Sequence, residues 1–122
     1  MAKKSSLIIG IIFLLIGILG FINNPVIGSN GYFLTNMPHD LIHVLTGIVL
    51  LVISFKTRSS GFALRVFGIL YLALAILGLL VTNESGPGVL LGFINVNSAD
   101  NWIHLILGIV VFLLGVGSEE WK

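Results

Sequence analysis

Four apolar stretches, residues 6–22, 38–55, 62–81 and 99–116, run through the chain and leave it few ways to fold. A helix needs roughly 20 apolar residues to cross about 30 Å of hydrocarbon, and each stretch approaches that length, the first being the shortest. Lipid offers no hydrogen-bond partner to an open strand edge, and none of the stretches alternates apolar with polar residues as a barrel strand does. The expected class is therefore all-α, an integral membrane four-helix bundle. Composition agrees, with 57% hydrophobic and 9% charged residues against about a quarter charged in soluble domains. At 122 residues the chain is expected to form a single membrane domain over 1–122. It has no cysteine, which removes disulfides and thiolate metal ligands and leaves the redox compartment open.

Lys3 and Lys4 before the first apolar run have the outline of a secretory signal peptide. The run lacks a small-x-small cleavage site before Asn23, however, and a closely similar run recurs at 66–78, so it is read as a membrane helix. All six Lys and Arg residues, Lys3, Lys4, Lys56, Arg58, Arg65 and Lys122, fall at the N-terminus, around the middle connection or at the C-terminus. The first and third connections carry none. Cationic segments stay on the cytoplasmic side, so both termini are expected there, with those two connections facing outward. The basic stretch 56–65 is then a topology determinant and a contact for anionic lipid.

The chain also reads as a tandem duplication, with halves at about 7–55 and 62–116. At an offset of 58, Gly10, Ile11, Leu14, Ile18, Leu19 and Gly20 match Gly68, Ile69, Leu72, Ile76, Leu77 and Gly78. At an offset of 61, Asn36, Ile42, His43, Gly47, Ile48 and Val49 match Asn97, Ile103, His104, Gly108, Ile109 and Val110. Isoleucine and leucine matches come cheaply in an apolar alphabet, whereas paired glycines, a histidine and an asparagine do not. Two helices per repeat make both halves cross in the same direction, so the expected architecture is two tandem parallel-repeat helical hairpins. Gly10, Gly20, Gly47, Gly68, Gly78 and Gly108 are read as helix-packing positions, because small residues let membrane helices approach closely. The outer connections repeat too, Gly31–Asn36 over Gly92–Asn97, and their apolar centres are expected to fold onto the outer interface, a depth that also suits Trp102.

His43 and His104 are the polar residues that this pattern cannot absorb. With Pro38 as the first residue of the second helix and Ser98 as the cap of the fourth, Asp40 and Asn101 occupy matching third positions. Residues three and four apart share a helix face, so Asp40, His43 and Gly47 form one stripe, and Asn101, His104 and Gly108 the other. Asp40 or Asn101 is placed to accept an imidazole N–H and so fix its tautomer. Three readings are open: interhelical hydrogen bonding, ligation of a metal or haem, or proton and small-solute handling in an outward polar vestibule with Asp40 and Asp100. His39, whose counterpart is Asp100, is placed in the exposed rim, and Glu84 in a solvated outer loop.

No acidic or basic residue lies in the middle of a stretch, which argues against ion-coupled transport, and no nucleophile–base pair argues for hydrolysis. The expectation is a non-enzymatic structural or interaction protein of the cell envelope, with no cofactor assigned. Its partners are the lipid bilayer and a second copy or another membrane protein, not nucleic acid. The alternative is a ligand site at His43 and His104.

The pattern Asn/Asp-x-x-His-x-x-x-Gly, present as "DLIHVLTG" and "NWIHLILG" after "GYFLTN" and "GFINVN", resembles a bacterial family of small four-helix membrane proteins known as domain of unknown function DUF4383. The resemblance runs from Leu7 to about Gly115 and departs in carrying Asp40 where Asn is usual. It implies an integral protein of the bacterial plasma membrane and brings no activity.

Overall fold

A computed structural model describes residues 2–82 and 86–117. Its four helices are α1 (Ala2–Gly20), α2 (Met37–Ile53), α3 (Thr57–Thr82) and α4 (Ser98–Val116). α1, α4 and the Arg58–Thr82 part of α3 are long and apolar enough to cross a membrane. α2 is the short one, its 17 residues rising about 25 Å.

The helix starts differ from expectation. α1 begins at Ala2 and α3 at Thr57, each several residues earlier than the apolar stretches. Residues 57–61, expected in the break 56–61, are thus helical, and only residues 54–56 join α2 to α3. The tight join is tied by Ser60, whose Oγ donates to the Ile53 carbonyl (3.1 Å) and whose N–H reaches the Lys56 carbonyl (2.9 Å). α1 and α2 end two residues short of the expected 22 and 55. Glu84 and its neighbours Asn83 and Ser85 lie outside the described residues.

α1 packs along α2 and α3 along α4. Each helix buries one stripe at helical spacing: Ser6, Ile9, Gly10, Phe13 and Gly17 on α1, and Asn101, His104, Gly108, Val111 and Gly115 on α4. Glycines set the approach. A Cβ at Gly47 would sit 2.6 Å from the Leu14 nitrogen and 2.7 Å from the Gly10 carbonyl oxygen. One at Gly108 would sit 2.8 Å from the Leu72 nitrogen and 3.0 Å from the Gly68 carbonyl oxygen. Backbones this close exclude any side chain between them, as at small-residue helix interfaces generally. Phe13, Leu50, Leu64, Tyr71 and Val111 fill the centre.

Opposite the buried stripes, all four helices expose large apolar side chains, among them Leu15, Leu45, Val52, Ile69, Leu80, Ile106 and Leu113.

Short strands in the two long connections were not anticipated. β1 (Ile27–Gly28) pairs in parallel with β2 (Phe33–Leu34), and β3 (Gly88–Leu90) pairs antiparallel with β4 (Ile94–Val96). Leu91 (φ 55°) and Gly92 (φ 86°) are the central residues of a tight turn within the three-residue connection 91–93 between β3 and β4, closed by Phe93 N–H to Leu90 O at 3.2 Å. Consecutive left-handed residues match the twist of a tight hairpin, and glycine takes the second at no steric cost. Leu90, Ile94 and Val96 then pack on Ile42, Leu74 and Val81, so the hairpin covers the start of α2 and the end of α3. The two connections also exchange bonds. Asn36 Nδ2 donates to Phe93 O (3.0 Å) and Asn97 Nδ2 to Tyr32 O (2.8 Å).

Candidate functional site

The site begins with two helix caps. Asn36 and Asn97, in extended conformation, accept the N–H groups of His39 (3.3 Å) and Asp100 (3.0 Å) through their side chains. The caps lie one residue before the positions expected from Pro38 and Ser98, because the asparagine amide captures a free N–H of the first turn. His39 and Asp100, not Asp40 and Asn101, are therefore the third residues of their helices. At α4 the position completes a capping box, with Asn97 N–H donating to Asp100 Oδ2 at 2.9 Å. At α2 the same position holds an imidazole, which turns elsewhere.

That imidazole corrects the expectation of an exposed rim. His39 is only 2% exposed. Its Nδ1 lies 2.7 Å from the carbonyl oxygen of Asn95 in β4. A carbonyl only accepts, so Nδ1 carries the proton and Nε2 keeps its lone pair. The β3–β4 hairpin folds over the start of α2 and supplies this partner, a long-range contact that local polarity did not reveal.

His39 and His43 stand one turn apart on α2, and His104 meets them from α4. Ring centroids are 4.6 Å apart for His39 and His43, 5.5 Å for His39 and His104, and 5.8 Å for His43 and His104. One ring nitrogen from each residue lies within 4.8 Å of those of the other two. His39 Nε2, His43 Nδ1 and His104 Nδ1 are buried with no hydrogen-bond partner among the described residues. A buried unpaired polar atom costs about 1–3 kcal/mol, so three in one cluster ask for a physical explanation.

Asp40 and Asn101 are buried beside their histidines but do not bond to them. A Cβ at Gly20 would overlap the Asp40 carboxylate, and one at Gly78 the Asn101 amide, so each polar side chain fills a hollow left by the neighbouring helix. Asn101 Nδ2 donates to Thr82 Oγ1 (2.8 Å), which donates to Gly78 O (3.0 Å). The Asp40 carboxyl interacts with the Thr35 hydroxyl, although its Oδ1 has no partner at hydrogen-bond distance among the described residues. Asp40 fills the hollow at Gly20, and Asn101 fills that at Gly78 and spends its amide N–H on Thr82, so neither turns to the histidine three residues on. The expected tautomer-fixing bonds are absent.

Tyr71, which sequence reasoning passed over, supports the cluster from α3. Its ring lies 5.4 Å from His104, 6.3 Å from His43 and 4.9 Å from Phe13, and its hydroxyl is 3.0 Å from Thr46 Oγ1. Two signals could have found the missed residues: the His-x-x-x-His spacing of His39 and His43, and a lone tyrosine hydroxyl in the apolar third stretch. Beside the cluster lies a cavity of about 190 Å³ lined by His43, His104, Asp100, Thr35 and apolar side chains including Phe13, Phe33 and Leu107.

No curated protein and no solved structure matches the chain. The family model described as "Domain of unknown function (DUF4383)" matches residues 3–117, nearly the whole chain, and the protein therefore belongs to that family.

Proposed function

We propose that the protein is a non-enzymatic structural or interaction element of a bacterial envelope, one integral membrane domain made of two tandem helical hairpins. Its termini lie on the cytoplasmic side. The observation that carries this reading is the exterior, where large apolar side chains face outward from all four helices while polar groups are drawn inward or to the ends. A water-soluble monomer seldom exposes contiguous apolar surface beyond a few hundred Å², whereas lipid solvates such a surface without cost. The reciprocal bonds from Asn36 to Phe93 and from Asn97 to Tyr32 support a duplicated hairpin, since both donors and both acceptors are related by the same offset of 61 residues. A polar exchange of this kind holds the halves together at the outward end, leaving the apolar flanks of the helices to meet lipid, a second copy or another membrane protein.

The reading is tested by alkaline extraction of membranes from cells making the full chain. The protein is expected to stay in the pellet and to require detergent for release. Purified double variant Asn36→Ala, Asn97→Ala is expected to unfold more easily, by about 0.5–2 kcal/mol or more at each site, because each loses a helix cap together with its bond to the other connection. Release into the alkaline supernatant would overturn the membrane assignment, and an unchanged unfolding midpoint would remove the clasp.

A further inference from the structure

We propose that His39, His43 and His104 bind a divalent transition-metal ion of the zinc class, held between α2 and α4 under the β3–β4 hairpin. The proposal stands independently of the scaffold role, since a membrane bundle folds with or without an ion in this layer.

Four observations converge. First, the ligand type is suitable: neutral imidazole is the commonest protein ligand for zinc, copper, nickel and iron, and no thiolate competes in a chain without cysteine. Second, the geometry is close to a binding one. Zinc–nitrogen bonds of about 2.0–2.1 Å in a tetrahedron place donor nitrogens about 3.3 Å apart. The three donors lie within 4.8 Å of one another, a gap that small rotations of the rings close. Third, His39 is already oriented as a ligand. Its Nδ1–H is spent on the Asn95 carbonyl at 2.7 Å, which leaves a buried lone pair on Nε2. Metal-bound histidines almost always donate their other N–H in this manner. Fourth, burial is deep at all three, with exposures of 2%, 6% and 4% for His39, His43 and His104. Buried nitrogens without partners are stabilised if an ion takes their lone pairs, whereas a merely packed layer leaves the cost of each in place.

The same geometry selects a single ion over a haem. The third imidazole crowds the space that a porphyrin plane would need between two axial ligands. The adjoining cavity, about 190 Å³, is also below the roughly 300–1,000 Å³ usual for organic ligands. Three protein ligands leave a fourth position, as in open zinc sites. Two of the three histidines line the cavity together with Asp100 and Thr35. Thr35 Oγ1, which interacts with the Asp40 carboxyl, has no partner at hydrogen-bond distance among the described residues, and it suits a hydrogen bond to a small ligand in that position. Among the described residues, Asp40 and Asp100, 2% exposed each, are carboxyl groups near this end that would offset the ion's charge, whereas Lys3, Lys4, Lys56 and Arg58 lie toward the other end.

The test uses the full chain without a polyhistidine tag, purified in detergent, stripped with chelator and titrated with Co²⁺ as a spectroscopic probe. One equivalent is expected to produce the visible absorption of tetrahedral Co²⁺, and Zn²⁺ to bleach it by displacement. His39→Gln, His43→Gln and His104→Gln are each expected to weaken binding by at least about tenfold. Helical circular dichroism checks that each variant folds. Should a variant in the bundle centre fail to fold, His39→Gln decides, because it sits in the first turn where Gln is compatible with a capping box. Absence of a Co²⁺ band in the wild type, or an unchanged affinity in folded His39→Gln, overturns the proposal and leaves the rings as a packed or hydrated polar layer.

Discussion

Gly20 and Gly78 each face a polar side chain, the Asp40 carboxylate and the Asn101 amide. The hollow matters because neither polar group can be moved into lipid or into the apolar centre without losing its surroundings. Gly78→Ala is expected to destabilise the purified protein by about 1–3 kcal/mol, the usual range for overpacking, read as a lower midpoint in thermal or detergent unfolding. Ile48→Ala, at an exposed position on α2, serves as the comparison and is expected to cost less. Equal losses in both would mean that the close approach at Gly78 carries no special weight. At this scale the sequence was uneven. His43 and His104 stood out because each is polar in an apolar stretch and has a counterpart 61 residues away. His39 aligns with Asp100 rather than with a histidine, and its burial depends on the Asn95 carbonyl brought over from β4. Tyr71 corresponds to Phe13 at an offset of 58, and nothing local says that its hydroxyl meets Thr46 across 25 residues.

The helix starts explain much of what the elements do. α4 begins with a closed capping box, whereas α2 spends the corresponding position on His39. Asp100→Ala is therefore expected to lose about 1 kcal/mol of stability through the broken cap, while His39→Gln loses less because it can restore one. Differential unfolding midpoints of the two variants check this, and a larger loss for His39→Gln would show that the imidazole holds the β3–β4 hairpin more firmly than a cap holds the helix. The four helices were legible from apolar length, since lipid-like surface and helical span leave little choice. Their polar ends were less so. Ser59, Ser60 and Gly61 look like a break, yet they lie in the first turns of α3, where the Ser60 hydroxyl ties the helix to the last carbonyl of α2. The strands escaped notice because two or three residues carry no periodicity, and their pairing is set by turns such as Leu91-Gly92.

At the level of the whole molecule, apolar flanks, inward polar groups and an uneven distribution of cations point to one arrangement. The three histidines lie at the end where the two long connections cross-bond, and Lys3, Lys4, Lys56 and Arg58 mark the other end. The central claim is that a membrane separates these ends. A chain without cysteine makes the measurement clean. Single-cysteine variants Ser29→Cys and Leu91→Cys, in the two long connections, and Lys4→Cys and Lys56→Cys, at the basic end, are treated in intact cells with a membrane-impermeant maleimide. The account predicts labelling of the first two at once and of the last two only after permeabilisation. Labelling of Lys4→Cys or Lys56→Cys from outside, or protection of all four until the cells are opened, would contradict it.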